Sequence, residues 1–253
     1  MSVTMTKDYM LVDRPWSQDE FASYQRQIEE RKSWGYYQRL AIQDSSGKRL
    51  ETPGSHLCLG SLANLDQHGY PKNLTGKSVL DIGCNAGFYS FAARLRGARS
   101  VLGLDYQPHY VNQALLLRDI LGLDIEFRQS DGHDLTEQAG VYDVVLNTGV
   151  IYHLQNPMDF LTKMARITRE VMYLESEMLT DPKLSEYAWF IEKEYGQDSS
   201  NWWIYGPLCA ERMARAAGFS RVEFQGFIWK PPHGMKTPEG FERQGRGAFL
   251  CWK

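Results

Sequence analysis

The sequence predicts an α/β fold built on a parallel sheet. Two observations carry this. From Lys77 onward, short β-rich apolar runs alternate with segments of helical pattern, and strands separated by crossover helices pair in parallel. The first of those runs carries an acid near its end and passes through a turn of small residues into a helix: Val79-Leu80-Asp81-Ile82-Gly83-Cys84-Asn85-Ala86-Gly87-Phe88. In parallel sheets, ligands sit at such carboxyl strand ends.

Residues 1–75 read as a mainly helical extension ahead of a domain spanning 76–253. Residues 17–34 are polar and helix-favouring, with Phe21, Tyr24, Ile28 and Arg31 at helical spacing, and Ser17 followed by Glu20 is a capping-box signature. Turn signals follow at Asp44–Gly47 and Pro53–Gly54. Trp16, Phe21, Tyr24, Trp34, Tyr36 and Tyr37 need a surface to be buried against, so the extension is expected to pack on the domain.

In the domain, SVLDIG (78–83) reads as a buried strand and 87–97 as a helix. SVLGLD (100–105) is a second strand, 109–122 a helix, DIEFRQ (124–129) a third strand and YDVVLN (142–147) a fourth. Asn156–Pro157 opens a helix to about residue 168, with proline suited to the first helical position. EVMYLES (170–176) is a fifth strand. An insertion at about 177–206 follows, then a helix over 207–217 and two closing strands, SRVEFQ and GAFLCW.

Composition excludes several classes. Hydrophobic residues are 43% and charged residues 23% of the 253, which rules out a mostly disordered chain. No apolar run approaches the roughly 18 residues that span a bilayer, so no membrane partner is expected. The start of the chain lacks the charged-then-apolar pattern of a secretory signal. Cys58, Cys84, Cys209 and Cys251 are far apart and form no CxxC pair, so a reducing cytoplasm is the expected location. The six histidines form no HExxH and no Cys/His cluster, so no metal is expected.

The glycine turn has the order DxGxxxG, not GxGxxG. Gly83 and Gly87 let a ligand approach the backbone, but an acid at the strand end repels a phosphate. It suits an ammonium or hydroxyls, which points away from NAD and towards S-adenosylmethionine. The second strand ends Asp105-Tyr106. An acid there, ~20 residues past the glycine turn, can accept both ribose hydroxyls. The third strand leads to Ser130-Asp131-Gly132-His133-Asp134, where a carboxylate could accept from an adenine amino group.

This constellation resembles the class I S-adenosylmethionine-dependent methyltransferases, from residue 77 to the last residue. The resemblance implies a Rossmann-like seven-stranded sheet with one antiparallel strand. It implies that Asp81, Gly83, Cys84, Asn85 and Gly87 cradle the methionine part. By the same match Asp105 and Tyr106 hold the ribose, Asp131, Gly132 and His133 flank the adenine, and Asn147, Thr148 and Tyr152 line the same cofactor. Asn85 stands where glycine is frequent, which left-handed backbone at Asn tolerates.

After strand four, Gly149-Val150-Ile151-Tyr152-His153-Leu154-Gln155-Asn156-Pro157 resembles a narrower branch, the tRNA wobble-uridine carboxymethyltransferase-like enzymes. In that branch the matching tyrosine lies beside the sulfonium substituent, and an arginine before the last strand, here Arg246, binds the substituent's carboxylate. The branch also uses a lysine in a WRKGPF-like segment. This chain has Leu50-Glu51-Thr52-Pro53-Gly54-Ser55 there, without the lysine and with an extra acid, so ordinary S-adenosylmethionine is the expected cofactor.

Methyl transfer is an in-line displacement, for which the protein supplies alignment, water exclusion and removal of a proton. His153 is the candidate general base, because imidazole titrates near neutrality. A packing histidine bound to backbone is the competing reading. Tyr152, with an ordinary pKa of ~10, fits a wall and orienter better than a base.

The 177–206 insertion holds Tyr187, Trp189, Phe190, Tyr195, Trp202, Trp203 and Tyr205. Such density suits a lid over a flat or sugar-like acceptor, or equally a hydrophobic plug or homo-oligomer contact. Trp202, Trp203, Tyr205, Glu175 and Arg246 are the candidate acceptor residues, and Glu175 and Glu177 either touch the acceptor or are solvated. A tRNA enzyme should show a basic footprint. Residues 1–75 instead carry as many acids as bases, and the C-terminal excess is thin. A small-molecule or glycan acceptor is therefore expected, with tRNA as the alternative and a non-catalytic cofactor-binding protein as a second.

Overall fold

The computed structural model describes residues 2–6, 9–31, 34, 40–53, 66–131, 140–195, 198–229 and 244–253. Gly132, His133 and Asp134 lie outside the described residues, as do Tyr36, Tyr37, Gly54, Cys58 and the stretch 230–243. By packing, the chain divides into two units: residues 1–66 with 72–131, and residues 67–71 with 132–253. Among the described residues no helix is long and apolar enough to cross a membrane.

The first unit opens with β1 (Val3–Met5), β2 (Met10–Val12), α1 (Gln18–Glu30), β3 (Ala41–Asp44) and β4 (Arg49–Glu51). Its strands form a sheet in the order β1-β2-β3-β4. Among the described residues, the extension, expected to be mainly helical, shows one helix beside four strands. Three of those strands are three residues long, too short to show alternation in the sequence. The helix start is the expected one. Ser17 Oγ accepts from Glu20 N–H, and the Glu20 carboxylate accepts from Ser17 N–H, a closed capping box. Helical spacing then brings Phe21 and Tyr24 onto Trp16, each with ring centroids 6.1 Å away, and buries Ile28.

Asp44 ties these pieces together. Fully buried, it accepts from the backbone N–H groups of Trp16 (2.7 Å), Ser46 (2.9 Å) and Lys48 (2.8 Å). Burial pushes its carboxyl up, but these bonds and the Ser46 hydroxyl outweigh that and hold it below the ordinary aspartate value. A carboxyl depressed by folding stabilises above its unfolded pKa, and that contribution is lost as pH falls through the folded value. Asp44→Ala leaves several donors unanswered. We expect it to destabilise the protein by about 1–3 kcal/mol at neutral pH. The gap to the parent should narrow below about pH 4; urea unfolding at both pH values measures this.

The same unit continues with β5 (Ser78–Ile82), α2 (Phe88–Leu95), β6 (Ser100–Asp105), α3 (Pro108–Leu121) and β7 (Glu126–Gln129). Its three strands are parallel in the order β5-β6-β7. All five residues of β5 are buried, which is why the run reads as continuous apolar sequence around one acid. Helix α3, expected over 109–122, starts at Pro108 and is capped by Gly122 in the left-handed conformation, a proline-first, glycine-last pattern.

The second unit holds β8 (Tyr142–Thr148), a 3-10 turn (Ile151–His153), α4 (Pro157–Ile167), β9 (Thr168–Leu179), β10 (Ala188–Phe190), β11 (Trp203–Tyr205), α5 (Pro207–Ala216), β12 (Arg221–Trp229) and β13 (Gln244–Trp252). β8 and β9 are parallel. β13 runs antiparallel between β9 and β12. β10 and β11 pair with each other, and β11 meets β9 at one residue pair, Tyr205 with Met178. The chain is thus a mixed α/β protein with a mostly parallel central sheet. Outside the N-terminal sheet the described residues form nine strands, against the seven expected; β10 and β11 come from the aromatic insertion.

Candidate active site

In the first unit, the turn after β5 is a cradle of backbone. Gly83 and Cys84 both donate N–H to Leu104 O, at 2.8 and 2.9 Å, which locks the turn to β6. Asn85 sits in the left-handed region at φ 50°, as expected for the residue standing in for glycine, and its own Oδ1 accepts from Ala86 N–H at 2.7 Å. Gly87 has φ 92°, and a Cβ there would come within 2.9 Å of Phe91 and Phe127. Asp105 is buried at the end of β6. Its two oxygens accept from Asn85 N–H and Gln107 N–H, each at 2.9 Å, leaving further lone pairs on both.

Asp81 lies fully buried beneath this turn. Ser90 Oγ donates to its Oδ2 at 2.6 Å, while Oδ1 has no hydrogen-bond partner among the described residues. Burial, aided by the charge of Asp105 and opposed by the Ser90 bond, pushes the Asp81 carboxyl up to about 7. Asp105 is also raised, by burial, against the bonds from Gln107 and Asn85. Cys84 is buried and its thiol raised far out of the reactive range, so it serves as packing. Tyr106 is 62% exposed, a flat ring at the lip beside Asp105.

In the second unit, strand register builds an ion cluster. Arg246 on β13 faces Glu177 on β9, and Glu175 is the diagonal neighbour two residues along, so all three share one face. The guanidinium forks onto Glu175, with Nε 2.5 Å from one oxygen and an Nη 2.7 Å from the other. Its other Nη reaches Glu177 at 3.0 Å and the Tyr152 hydroxyl at 3.4 Å. Gly149, at φ 73°, caps the cluster: a Cβ there would lie 3.1 Å from the guanidinium. Burial raises the Glu177 carboxyl despite Arg246. Burial also pushes the Tyr152 phenol up to about 12, with Arg246 opposing, so Tyr152 stays protonated at neutral pH.

Next to Tyr152, the 3-10 turn presents His153. Its Nδ1 lies 2.9 Å from Ser200 Oγ, which lies 2.6 Å from Asp198 Oδ1. Burial lowers the His153 pKa, Asp198 and Ser200 work against that, and Arg246 adds to it. Tyr205 is fully buried, and its hydroxyl donates to Ile151 O at 3.1 Å; it holds the turn and is not open to an acceptor. Trp202 N–H donates to Tyr152 O at 2.8 Å. Trp203 packs on Phe190 with centroids 5.0 Å apart. Asn147, fully buried at the end of β8, has neither side-chain oxygen nor nitrogen bonded among the described residues.

Residues 73–202 match the family model described as a methyltransferase domain, a little over half of the chain. The chain belongs to the methyltransferase-domain family. The chain is 28% identical over 138 residues to the tRNA U34 carboxymethyltransferase of Marinobacter nauticus, covering 54% of this chain and 41% of that one. It is 30% identical over 184 residues to the protein of that name from Pseudomonas syringae pv. tomato, covering 70% of this chain and 56% of the other. The chain spans about half the length of the curated relatives it matches. Two crystal structures of the N-terminal domain of EvdMO1 share its fold. One has SAH bound (TM-score 0.68, 20% identity) and the other was solved with SAH and D-fucose (TM-score 0.66, 17% identity). Each match covers 91% of this chain and 96% of the other.

S-adenosylmethionine is the cofactor of this family, and the cradle of the methyltransferase fits it. An unpaired buried carboxylate oxygen on Asp81 calls for a cation such as an ammonium. Spare lone pairs on buried Asp105 call for hydroxyls. Among the described residues no group of His, Cys, Asp or Glu is arranged to hold a metal. Asp198 and Ser200 carried no signal of their own in the sequence. Neither did Gly103, where a Cβ would lie 2.5 Å from Phe127.

Proposed function

We propose that the methyltransferase transfers a methyl group to a hydroxyl or amine of a small-molecule or glycan acceptor. Asp81, Gly83, Asn85, Gly87, Asp105 and Tyr106 would hold the cofactor, and Tyr152, His153, Trp202 and Trp203 would serve the acceptor, while Glu175 is taken up by Arg246. When bound, S-adenosylmethionine supplies an electrophilic methyl carbon whose bond to sulfur breaks with the electron pair staying on sulfur. On this reading residues 1–75 are an extension to a transferase domain over 76–253, with the 177–206 insertion as its acceptor wall.

The observation that carries the acceptor class is the ion cluster. Two carboxylates already engage Arg246, so the cluster is net negative and offers no open cation to a carboxylate or phosphate. The aromatic faces of β10 and β11 complete the argument, because sugar C–H faces and flat rings pack on such side chains. The tRNA reading is favoured by the Gly149–Pro157 motif and by the names of the curated relatives.

The test measures SAH release by the purified protein with pooled free sugars, sugar-containing small molecules and small phenols, and separately with bulk tRNA. Turnover with the small acceptors, at a rate insensitive to ribonuclease, is the expected result. Turnover confined to intact tRNA would overturn the acceptor class.

A further inference from the structure

The His153–Ser200–Asp198 chain joins residues from two distant parts of the second unit, and hydrogen-bond bookkeeping fixes its protons. Asp198 is ionised: burial acts to raise its pKa, but the bonds from the Ser200 hydroxyl and Ser200 N–H hold it below the ordinary aspartate value. An ionised carboxylate only accepts, so both contacts from Ser200, Oγ at 2.6 Å and N at 2.8 Å, must be donated to it. The Ser200 hydroxyl has one proton, and that proton is then used. Its oxygen can meet His153 Nδ1, 2.9 Å away, only as an acceptor. Nδ1 therefore carries the ring proton, and Nε2 carries the lone pair. No protein group among the described residues hydrogen-bonds Nε2.

We infer that Ser200 and Asp198 are positioning residues that hold His153 as the Nδ1–H tautomer, leaving Nε2 as a general base for the acceptor. This rests on the proposed methyl transfer and adds to it the parts that prepare the base. The proton balance is simple. The acceptor's O–H or N–H bond breaks, an Nε2–H bond forms, and the acceptor atom keeps the electron pair for its new bond to carbon. The imidazolium so formed donates through Nδ1 to Ser200, whose hydroxyl passes the stabilisation of Asp198 to the ring. Nε2 later returns the proton to water. Two charged groups bear on the ring: Asp198, which favours the imidazolium, and Arg246, which disfavours it. Tyr152, the neighbouring ring with its centroid 4.1 Å away, is uncharged at neutral pH. A resting ring that is neutral at pH 7 and can gain charge with Asp198 behind it has the properties of a base.

The test reads the tautomer directly, with no acceptor present. The full chain is labelled with 15N-histidine, and long-range 1H–15N correlations are recorded at pH 8. Loss of signals in His153→Gln identifies His153 among the six histidines. We expect wild-type Nδ1 at the shift of a protonated ring nitrogen and Nε2 at that of a lone-pair nitrogen. Ser200→Ala should move the ring toward the Nε2–H form that a solvent-exposed histidine side chain prefers in water, and Ser200→Thr should keep the wild-type pattern. An Nε2–H ring in the wild type, or an unchanged pattern in a folded Ser200→Ala, overturns the inference. Should Ser200→Ala fail to fold, the wild type and Ser200→Thr still decide. Because no acceptor is used, this result stands apart from the acceptor panel: failure there would remove the proposed substrate class and leave the tautomer reading intact.

Discussion

Asp105→Ala is expected to abolish measurable binding of S-adenosylmethionine. Asp105 is buried and has lone pairs left for two hydroxyls after accepting from Asn85 and Gln107. Hydrogen bonds to a charged acceptor are worth about 1.5–3 kcal/mol each. Losing two therefore weakens affinity at least ~100-fold. The substitution also frees the Asn85 N–H, which helps hold Asn85 at its positive φ, so the turn itself loses definition. Asp105→Asn separates the two effects. It can still accept from both the turn and one hydroxyl, so the loss should be intermediate. Calorimetry with S-adenosylmethionine and SAH gives both numbers. Undiminished binding by the alanine variant would refute the ribose assignment.

Arg246→Met is expected to destabilise the protein strongly. It removes the cation between Glu175, whose side chain is 3% exposed, and Glu177, whose side chain is 20% exposed. Breaking a buried pair from one side costs about 3–5 kcal/mol, because the remaining charge is left without compensation. Here two carboxylates are left. Glu177 is already raised above the ordinary value by burial, and losing Arg246 raises it further. The sign follows. A carboxyl raised by folding is a liability above its unfolded pKa, and that liability fades as acid protonates it in the folded state. The variant should thus regain stability relative to the parent as pH falls from neutrality towards the ordinary glutamate value. Neutralising the partners as well, with Glu175→Gln and Glu177→Gln in the same chain, should recover most of the loss. Chemical denaturation across this pH range measures it. A variant equally unstable at both ends would show that packing, not charge, is what Arg246 supplies.

Local signals in the sequence carried the frame of the molecule. The capping box at Ser17 and Glu20, the proline start of α4, and the run of buried residues in β5 each depend on neighbours within a few positions. The cradle was legible for the same reason: Gly83, Asn85 and Gly87 must take left-handed backbone, and only a few residue types do so at low cost. Long-range pairings were not legible. Arg246 and Glu175 are 71 positions apart, and only the β9–β13 register brings them together. Their pairing turned two acids of open role into the partners of an arginine read as a carboxylate binder. Ser200 and His153 are 47 apart, and nothing near Ser200 in the chain marks it. β10 and β11 are three residues each within an aromatic stretch, where high bulk hides the period of a strand. Tyr205 read as an acceptor residue on aromatic content alone, yet its hydroxyl is committed to Ile151 O.

The way β11 is attached to the sheet bears on how such a protein diversifies. β13 is zipped to β9 along all nine of its residues, whereas β11 meets β9 at the single pair Tyr205 and Met178. Changes of shape or polarity in the β10–β11 hairpin therefore disturb few backbone hydrogen bonds of the main sheet. Descendants of one ancestor could exchange this appendage freely while their shared scaffold drifted slowly, so kinship in the scaffold is a poor guide to what the appendage recognises.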